Sequence, residues 1–203
     1  MYTISAVLFD WCNTLISATS ARLRSAAKSN TYPSLVSNEN SVSSNTGNDN
    51  TDPKFEVGKP DTAAHGIRVN ENAHELLKFL STNDIKMGIV SNKNGPQLRK
   101  EVHDLGLSEY FLAIIGEGDT AENKPSPEPL IVALDMLGIS PSRSVLFVGD
   151  SDSDTEAALR AGCLPVGYNN FSNKNVFAFS NFRELGAFIE GSLVRKYERT
   201  TSG

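Results

Sequence analysis

Four polar segments along the chain carry residue types that suit phosphoryl transfer. Asp10, Ser91 and Asp150 each follow an apolar, partly β-branched run, and Lys124 lies in a Lys-Pro-Ser-Pro loop. Such runs are typical of buried parallel strands. The carboxyl ends of parallel strands meet at one edge of a sheet, so we expect the Asp, Ser, Lys and the acidic cluster to lie together there.

Length and charge restrict the class of protein. A chain of 203 residues with 39% hydrophobic content can bury one core and at most a small second lobe. The net charge of −5 argues against a nucleic-acid or anionic-membrane partner, because both are themselves negatively charged. We therefore expect neither nucleic acid nor membrane among the partners, and the sequence leaves the oligomeric state open.

Cysteine usage and the absence of a leader pattern favour the cytoplasm. Cys12 and Cys163 are too few for a disulfide framework. The N-terminus enters a strand pattern by Ala6 without a signal-peptide pattern, and Asp135 interrupts the apolar run near Ile131. We expect a cytoplasmic protein.

One segment differs from the rest in composition. Two-thirds of residues 29–52 are Ser, Asn, Thr or Gly. So few large apolar side chains cannot offset the entropy of ordering the backbone. We expect residues 29–52 to be largely disordered within an insertion over 17–66, preceded by a short helix near 18–28, and deletion of 29–52 to cost little stability.

Strand and helix patterns alternate along the rest of the chain. Apolar residues at i, i+3, i+4 and i+7 predict helices, and short apolar runs predict strands. The predicted order is a helix over 73–80 capped by Asn70, strand 87–90, a helix through Leu98 and Val102 closed by Gly106, strand 113–115, a helix from cap Ser126 to Gly138, strand 145–148, helix 155–161, strands 164–167 and 176–179, and helix 183–189. This alternation indicates an α/β fold with right-handed crossovers.

The order of the polar segments resembles that of the haloacid dehalogenase superfamily. Asp10, Ser91, Lys124, Asp150 and Asp154 follow one another as in those phosphohydrolases, and the Lys-Pro-Ser-Pro-Glu-Pro and Gly-Asp-Ser-Asp-Ser-Asp forms are similar to the phosphoglycolate-phosphatase-like branch. The resemblance covers 1–16 and 67–190, with 191–203 as a tail. It implies a three-layer Rossmann-like sandwich around a parallel sheet. A response-regulator receiver domain also groups Asp, Ser/Thr and Lys, but its acidic pair comes first.

The resemblance also implies site roles. Asp10 would be the nucleophile that forms an aspartyl-phosphate. Asp10, the main-chain carbonyl of Cys12 and Asp150 would hold Mg²⁺, which prefers hard oxygen ligands. The other expected site residues are Ser91 and Asn92 for phosphoryl binding, Lys124 as the cation beside nucleophile and phosphate, and Thr14 and Asp154 in support, with Asp154 holding Lys124 or a metal-bound water.

Two features depart from the family pattern. The residue two after the nucleophile is usually an Asp that protonates the leaving oxygen, and here it is Cys12. General acid–base assistance contributes about 10²–10⁴-fold, so turnover would be slow. Phosphonoacetaldehyde hydrolases also lack that Asp, but they add a lysine from a helical cap.

The second departure is the cap itself, since residues 17–66 replace the helical domain that would select small substrates. The site would then be open to a phosphorylated small molecule or to a larger phosphorylated substrate. The sequence is consistent with two functions. One is a Mg²⁺-dependent phosphatase weakened at Cys12, and the other is a non-catalytic phosphate-binding or interaction domain with the same fold.

Overall fold

The computed structural model describes residues 4–18, 66–169 and 176–200, with side chains of the last helix through Leu193. The described strands are β1 (Ala6–Phe9), β2 (Ile16–Ala18), β3 (Ile67–Val69), β4 (Lys86–Asn94), β5 (Ala113–Glu117), β6 (Val145–Gly149), β7 (Leu164–Tyr168) and β8 (Ala178–Phe179). The described α-helices are α1 (Ala73–Thr82), α2 (Gly95–Asp104), α3 (Glu128–Leu137), α4 (Asp152–Arg160) and α5 (Phe182–Thr200).

Six of these strands form one parallel sheet in the order β5-β4-β1-β6-β7-β8. β1 lies in the middle, where Phe9 is in register with Ile89 of β4 and with Val148 of β6. Every strand pair in this sheet is parallel. The polar residues that follow the strands therefore collect at one edge.

Helices cover both faces of the sheet. Side chains alternate along β1, so Val7 and Phe9 contribute to one apolar cluster, while Ala6 and Leu8 contribute to the other. The first cluster includes buried residues of α1, α2 and α5, and the second includes those of α3 and α4. The predicted α/β three-layer sandwich is confirmed.

Several element boundaries differ from the sequence prediction. Asn70 does not cap α1, because its side chain donates to the Thr14 carbonyl at 2.7 Å and Asn72 precedes the helix instead. α3 begins one residue later than predicted, after Pro127. α4 begins three residues earlier, because Ser151 and Asp154 form a reciprocal capping box. The last strand is shorter, at Ala178–Phe179.

Two further differences concern the ends of the predicted core. β2 and β3 form a separate antiparallel pair that the prediction missed, with Ile16 in register with Val69. α5 continues to Thr200, beyond the predicted end of the core at residue 190.

Three predictions concern residues outside the described ranges: the disorder of 29–52, the reduced cap and the helix near 18–28. Within this predicted helix only Ala18 is described, and it lies in β2. Across the described ranges, every helix is too short or too polar to cross a bilayer.

Candidate active site

Asp10 lies at the carboxyl end of β1, in the centre of the sheet. Its backbone N–H donates to the Val148 carbonyl at 2.8 Å, which continues the β1–β6 pairing up to the site. Asp10 is only 6% exposed. The strand therefore fixes this carboxylate in a buried position, at the edge where ligands bind in open α/β sheets.

Lys124 reaches Asp10 from the loop between β5 and α3. Its Nζ donates to Asp10 Oδ1 at 2.6 Å, to Asp154 Oδ1 at 2.7 Å and to the Val90 carbonyl at 3.0 Å. An ammonium has three N–H donors, so these three acceptors use all of them. Lys124 is 5% exposed. In this arrangement it fixes the two carboxylates with respect to each other.

Asp154 is held at the first turn of α4. Its Oδ2 accepts from the backbone N–H and the hydroxyl of Ser151, and its Oδ1 accepts from Lys124. A Cβ on Gly149 would collide with the Asp154 side chain, so glycine is required where β6 turns into the helix. Asp150, between them, is half-buried. Asp152 is exposed at the start of the helix.

Ser91 and Asn92 lie in a bulge of β4. Val90 pairs with Ile115 and Asn94 pairs with Glu117, so β4 has two more residues than β5 over this stretch. Ser91 is buried within the bulge.

The Asn92 side chain joins this bulge to the Lys124 loop. Its Nδ2 donates to the Lys124 carbonyl at 2.9 Å, and its Oδ1 accepts from the Lys124 backbone N–H at 3.0 Å. Asn92 therefore fixes the position of the Lys124 backbone. Binding of a phosphoryl group by Ser91 or Asn92 remains a prediction.

Burial sets the protonation of the acidic groups. Burial and, to a smaller extent, the Asp154 carboxylate raise the pKa of Asp10 to about 6, against the lowering effect of Lys124. Burial and Asp154 also raise the pKa of Asp150, while a hydrogen bond from Asn13 opposes the shift. Burial opposes the charge on Lys124, but Asp10 and Asp154 outweigh it and keep its pKa above the ordinary value. One ammonium thus serves two buried carboxylates.

The same carboxylates form a candidate cation site. One oxygen from each of Asp10, Asp150 and Asp154 lies within 4.8 Å of the others. Both Asp154 oxygens already accept hydrogen bonds, so Asp10 and Asp150 are the better direct ligands. With all three ionised, Lys124 leaves two negative charges uncompensated. A divalent cation with hard-oxygen preference fits this donor set and its charge.

The turn after Asp10 differs from the buried cluster. Cys12 is exposed and its thiol is free. Partial desolvation raises the pKa of the Cys12 thiol, and the positive charge of Lys93 is the largest effect that lowers it. A neutral thiol is a weak hydrogen-bond donor. Thr14 is buried, and within the described residues its hydroxyl has no hydrogen-bond partner. Cys163, the other free thiol, is buried in the α3–α4 cluster.

A buried network beside this turn was missed by the sequence prediction. Trp11, which packs in the core, donates from Nε1 to Glu101 Oε2 at 2.9 Å. Glu101 Oε1 pairs with Lys93 Nζ at 2.6 Å, and both side chains are largely buried. The signal was in α2, because the helical spacing of Leu98 and Val102 places Glu101 between them on the apolar face.

Comparison with known proteins identifies the family to which the chain belongs. Residues 8–167 match the family model for haloacid dehalogenase-like hydrolases. The chain therefore belongs to the haloacid dehalogenase-like hydrolase family, and the predicted resemblance is confirmed. A HAD-superfamily hydrolase from Ehrlichia chaffeensis has a similar crystal structure, with a TM-score of 0.72, 31% identity and coverage of 95% of this chain and 99% of that one.

Relatives within the family point to one branch. A phosphoglycolate phosphatase from Yersinia pestis is 38% identical over 112 residues, which are 53% of this chain and 48% of that protein. The counterpart from Escherichia coli K12 is 35% identical over 107 residues, or 53% of this chain and 42% of that protein. The aligned region spans about half the length of these curated relatives. The chain is thus similar to the phosphoglycolate-phosphatase-like branch.

Proposed function

We propose that this protein is a Mg²⁺-dependent phosphohydrolase that cleaves phosphate monoesters through an aspartyl-phosphate on Asp10. The observation that carries the proposal is the buried Asp10–Lys124–Asp154 cluster at the carboxyl edge of the sheet. The family membership and the phosphoglycolate phosphatase relatives support the same reaction class. The two free thiols suit a reducing, cytoplasmic setting.

The cation fits the acidic residues of the site. Asp10 and Asp150, with the main-chain carbonyl of Cys12, would hold Mg²⁺, and Asp154 would support the site through Lys124. When bound, the cation would offset negative charge on the transferring phosphoryl group.

The proposed hydrolysis takes place in two steps. A carboxylate oxygen of Asp10 bonds to phosphorus while the bond from phosphorus to the ester oxygen breaks, and that oxygen leaves with the electron pair. Water next attacks phosphorus, which releases inorganic phosphate and a proton and restores the Asp10 carboxylate. Lys124 orients Asp10 in both steps and offsets its charge.

Ser91 completes the phosphoryl pocket in this proposal. Its hydroxyl, in the β4 bulge, can donate to a phosphoryl oxygen, while Asn92 fixes the Lys124 loop. All three Lys124 donors are occupied by protein acceptors. Direct binding of phosphate by Lys124 therefore requires one of these hydrogen bonds to exchange.

The Cys12 thiol limits both steps. It is a weak donor with a raised pKa, so it protonates the leaving oxygen poorly and activates water poorly. Good leaving groups depend least on this assistance. Para-nitrophenyl phosphate should therefore react, ordinary alkyl phosphates should react slowly, and the aspartyl-phosphate should accumulate.

Burst kinetics test the proposal directly. With Mg²⁺ and para-nitrophenyl phosphate, we expect a burst of nitrophenol close to one equivalent, followed by slow turnover. The near-isosteric Asp10→Asn variant should give no burst, and EDTA should remove it from the unsubstituted protein. A folded protein that gives neither a burst nor steady Mg²⁺-dependent release of nitrophenol would refute the enzymatic proposal.

The second candidate is a non-catalytic phosphate-binding domain, which the loss of the acid at Cys12 favours. Beryllium fluoride, a phosphoryl mimic that binds an ionised aspartate, separates the two candidates. Stable Mg²⁺-dependent beryllium fluoride binding with neither a burst nor turnover would support the binding domain. Binding together with a burst would support the phosphatase.

A further inference from the structure

A second cation, Lys93, lies at the site on the side of Cys12. It follows Ser91 and Asn92 in the same β4 bulge, and Glu101 Oε1 fixes its Nζ at 2.6 Å. The other oxygen of that carboxylate accepts from the Trp11 indole at 2.9 Å. Trp11 lies between Asp10 and Cys12 in sequence, so this network joins the β4 bulge to the turn after the nucleophile.

The available hydrogen-bond donors differ between the two lysines. Lys124 uses its three N–H groups on Asp10, Asp154 and the Val90 carbonyl. For Lys93, the acceptor within the described part of the chain is Glu101, which leaves two donors of the ammonium for a ligand. Lys93 is thus better able to donate to a group that enters the site.

The position of Lys93 relative to Cys12 indicates which part of a substrate it would meet. Ile89 of β4 is in register with Phe9 of β1, so the bulge that follows Val90 lies beside the turn that follows Asp10. Glu101 pairs with Lys93 and accepts from Trp11, so it fixes the ammonium on the side of this turn that carries Trp11 and Cys12. In the proposed function, residue 12 faces the leaving oxygen.

We propose that Lys93 is a catalytic residue that donates a hydrogen bond from Nζ to the departing ester oxygen and compensates in part for the missing acid at Cys12. The inference rests on the proposed phosphatase reaction. As the bond between phosphorus and oxygen breaks, the oxygen keeps the electron pair and gains negative charge. Lys93 stabilises that charge, and the released alkoxide or phenoxide takes its proton from solvent.

A purely structural ion pair predicts a different result from a catalytic one. If Lys93 only tied α2 to the rest of the site, its removal would slow every substrate by a similar factor. If it stabilises the leaving oxygen, its removal should matter most where the leaving group holds negative charge poorly. The dependence of rate on leaving group therefore separates the two roles.

The experiment measures the burst rate constant for a series of substituted phenyl phosphates, from para-nitrophenyl to unsubstituted phenyl. The burst reports the first step, before the slow release of phosphate. We expect Lys93→Met to slow the phenyl phosphate burst by about 10²-fold, the size typical of one lost donor to an oxyanion, and the para-nitrophenyl burst by less than about tenfold. Lys93→Arg should retain most of the phenyl phosphate rate.

Lys100→Met is the matched control, because Lys100 is an exposed lysine of α2 that pairs with Asp104. It should leave the slope of rate against leaving-group pKa unchanged. An equal loss on all esters in folded Lys93→Met, or no loss at all, would overturn this inference while leaving the phosphatase intact. Absence of both a burst and steady turnover in the unsubstituted protein would instead overturn the phosphatase proposal, and this inference with it.

Discussion

Asp10 and Cys12 are two residues apart, yet they lie in opposite environments. The Asp10 side is buried, and there Lys124 forms short, hydrogen-bonded ion pairs with both Asp10 and Asp154. The Cys12 side is exposed and has a neutral thiol in place of a carboxylate. The protein thus keeps the part of the site that would attack phosphorus and hold a cation, while the part that would move protons is altered.

This contrast separates two contributions to the proposed reaction. The buried cluster also supports folding, because its charges depend on one another for compensation in a low-dielectric interior. The exposed turn has no such constraint, so its chemistry can change without loss of the fold. Variants on the Asp10 side should therefore affect stability and activity together, whereas variants at Cys12 should affect activity alone.

The largest effect on stability should come from Lys124→Met. This change leaves Asp10 and Asp154 buried without their shared ammonium, and breaking a buried pair in this way typically costs about 3–5 kcal/mol. The free energy of unfolding, measured by urea denaturation without divalent cations, gives the size of the effect.

Arg99→Met provides the control for that measurement. It removes an ion pair with Asp119 in which the arginine is 44% exposed. Exposed pairs contribute roughly 0–1 kcal/mol, so this variant should unfold close to the unsubstituted protein. Similar losses in both variants would mean that the buried cluster contributes nothing beyond an ordinary surface contact.

Cys12→Asp should have the next largest effect, on activity rather than on folding. A carboxylic acid at this position restores a proton donor for the leaving oxygen and a base for water. We expect turnover of alkyl phosphates to rise by about 10²-fold or more, within the range of general acid–base catalysis. Steady-state phosphate release measures it.

Cys12→Asn is the matched control, because it adds a polar side chain of similar size that cannot exchange a proton. It should leave alkyl phosphate turnover near the unsubstituted value. If Cys12→Asp folds and binds Mg²⁺ but gains no activity, the missing acid is not the limiting defect, and the non-catalytic candidate becomes the better one.

The sequence predicts the central framework well because local signals and burial agree there. The strand before Asp10 is apolar on both faces, as required in the middle of a parallel sheet. The start of α4 lies three residues before the predicted one, because apolar periodicity begins only at Thr155 whereas the capping box of Ser151 and Asp154 starts the helix earlier.

Long-range geometry explains what the sequence could not predict. The β4 bulge depends on its register with β5 and on Gly116, where a Cβ would collide with the Lys93 carbonyl and Gly95. The pairing of Lys93 with Glu101 then follows from that bulge. Neither can be derived from residue types alone, because both need two distant segments to be placed first.

The smallest effect we expect is a pH-dependent stabilisation by Mg²⁺. The pKa of Asp10 is about 6 in the folded protein, above its ordinary value of 3.8, so the native state binds the extra proton between these values. Without a cation, the stability contributed by that proton is lost as the pH rises through about 6. Mg²⁺ binds the ionised carboxylate, so its stabilising effect should grow over the same interval.

Thermal melts with Mg²⁺ and with EDTA, at about pH 5.5 and about pH 8, measure this effect. A cation at about 100 times its Kd adds about 2.7 kcal/mol. For a chain of this size each kcal/mol shifts Tm by about 2–4 °C, so we expect a shift of several degrees at the higher pH and a smaller one at the lower.

Asp150→Asn should reduce the Mg²⁺-dependent shift in Tm at both pH values, because it removes one ligand. Asp152→Asn is the control and should leave the shift unchanged, because Asp152 is an exposed acid of the same helix turn. A shift of equal size at both pH values would show that Asp10 does not bind the cation, and a shift retained in Asp150→Asn would exclude Asp150 from the cation site.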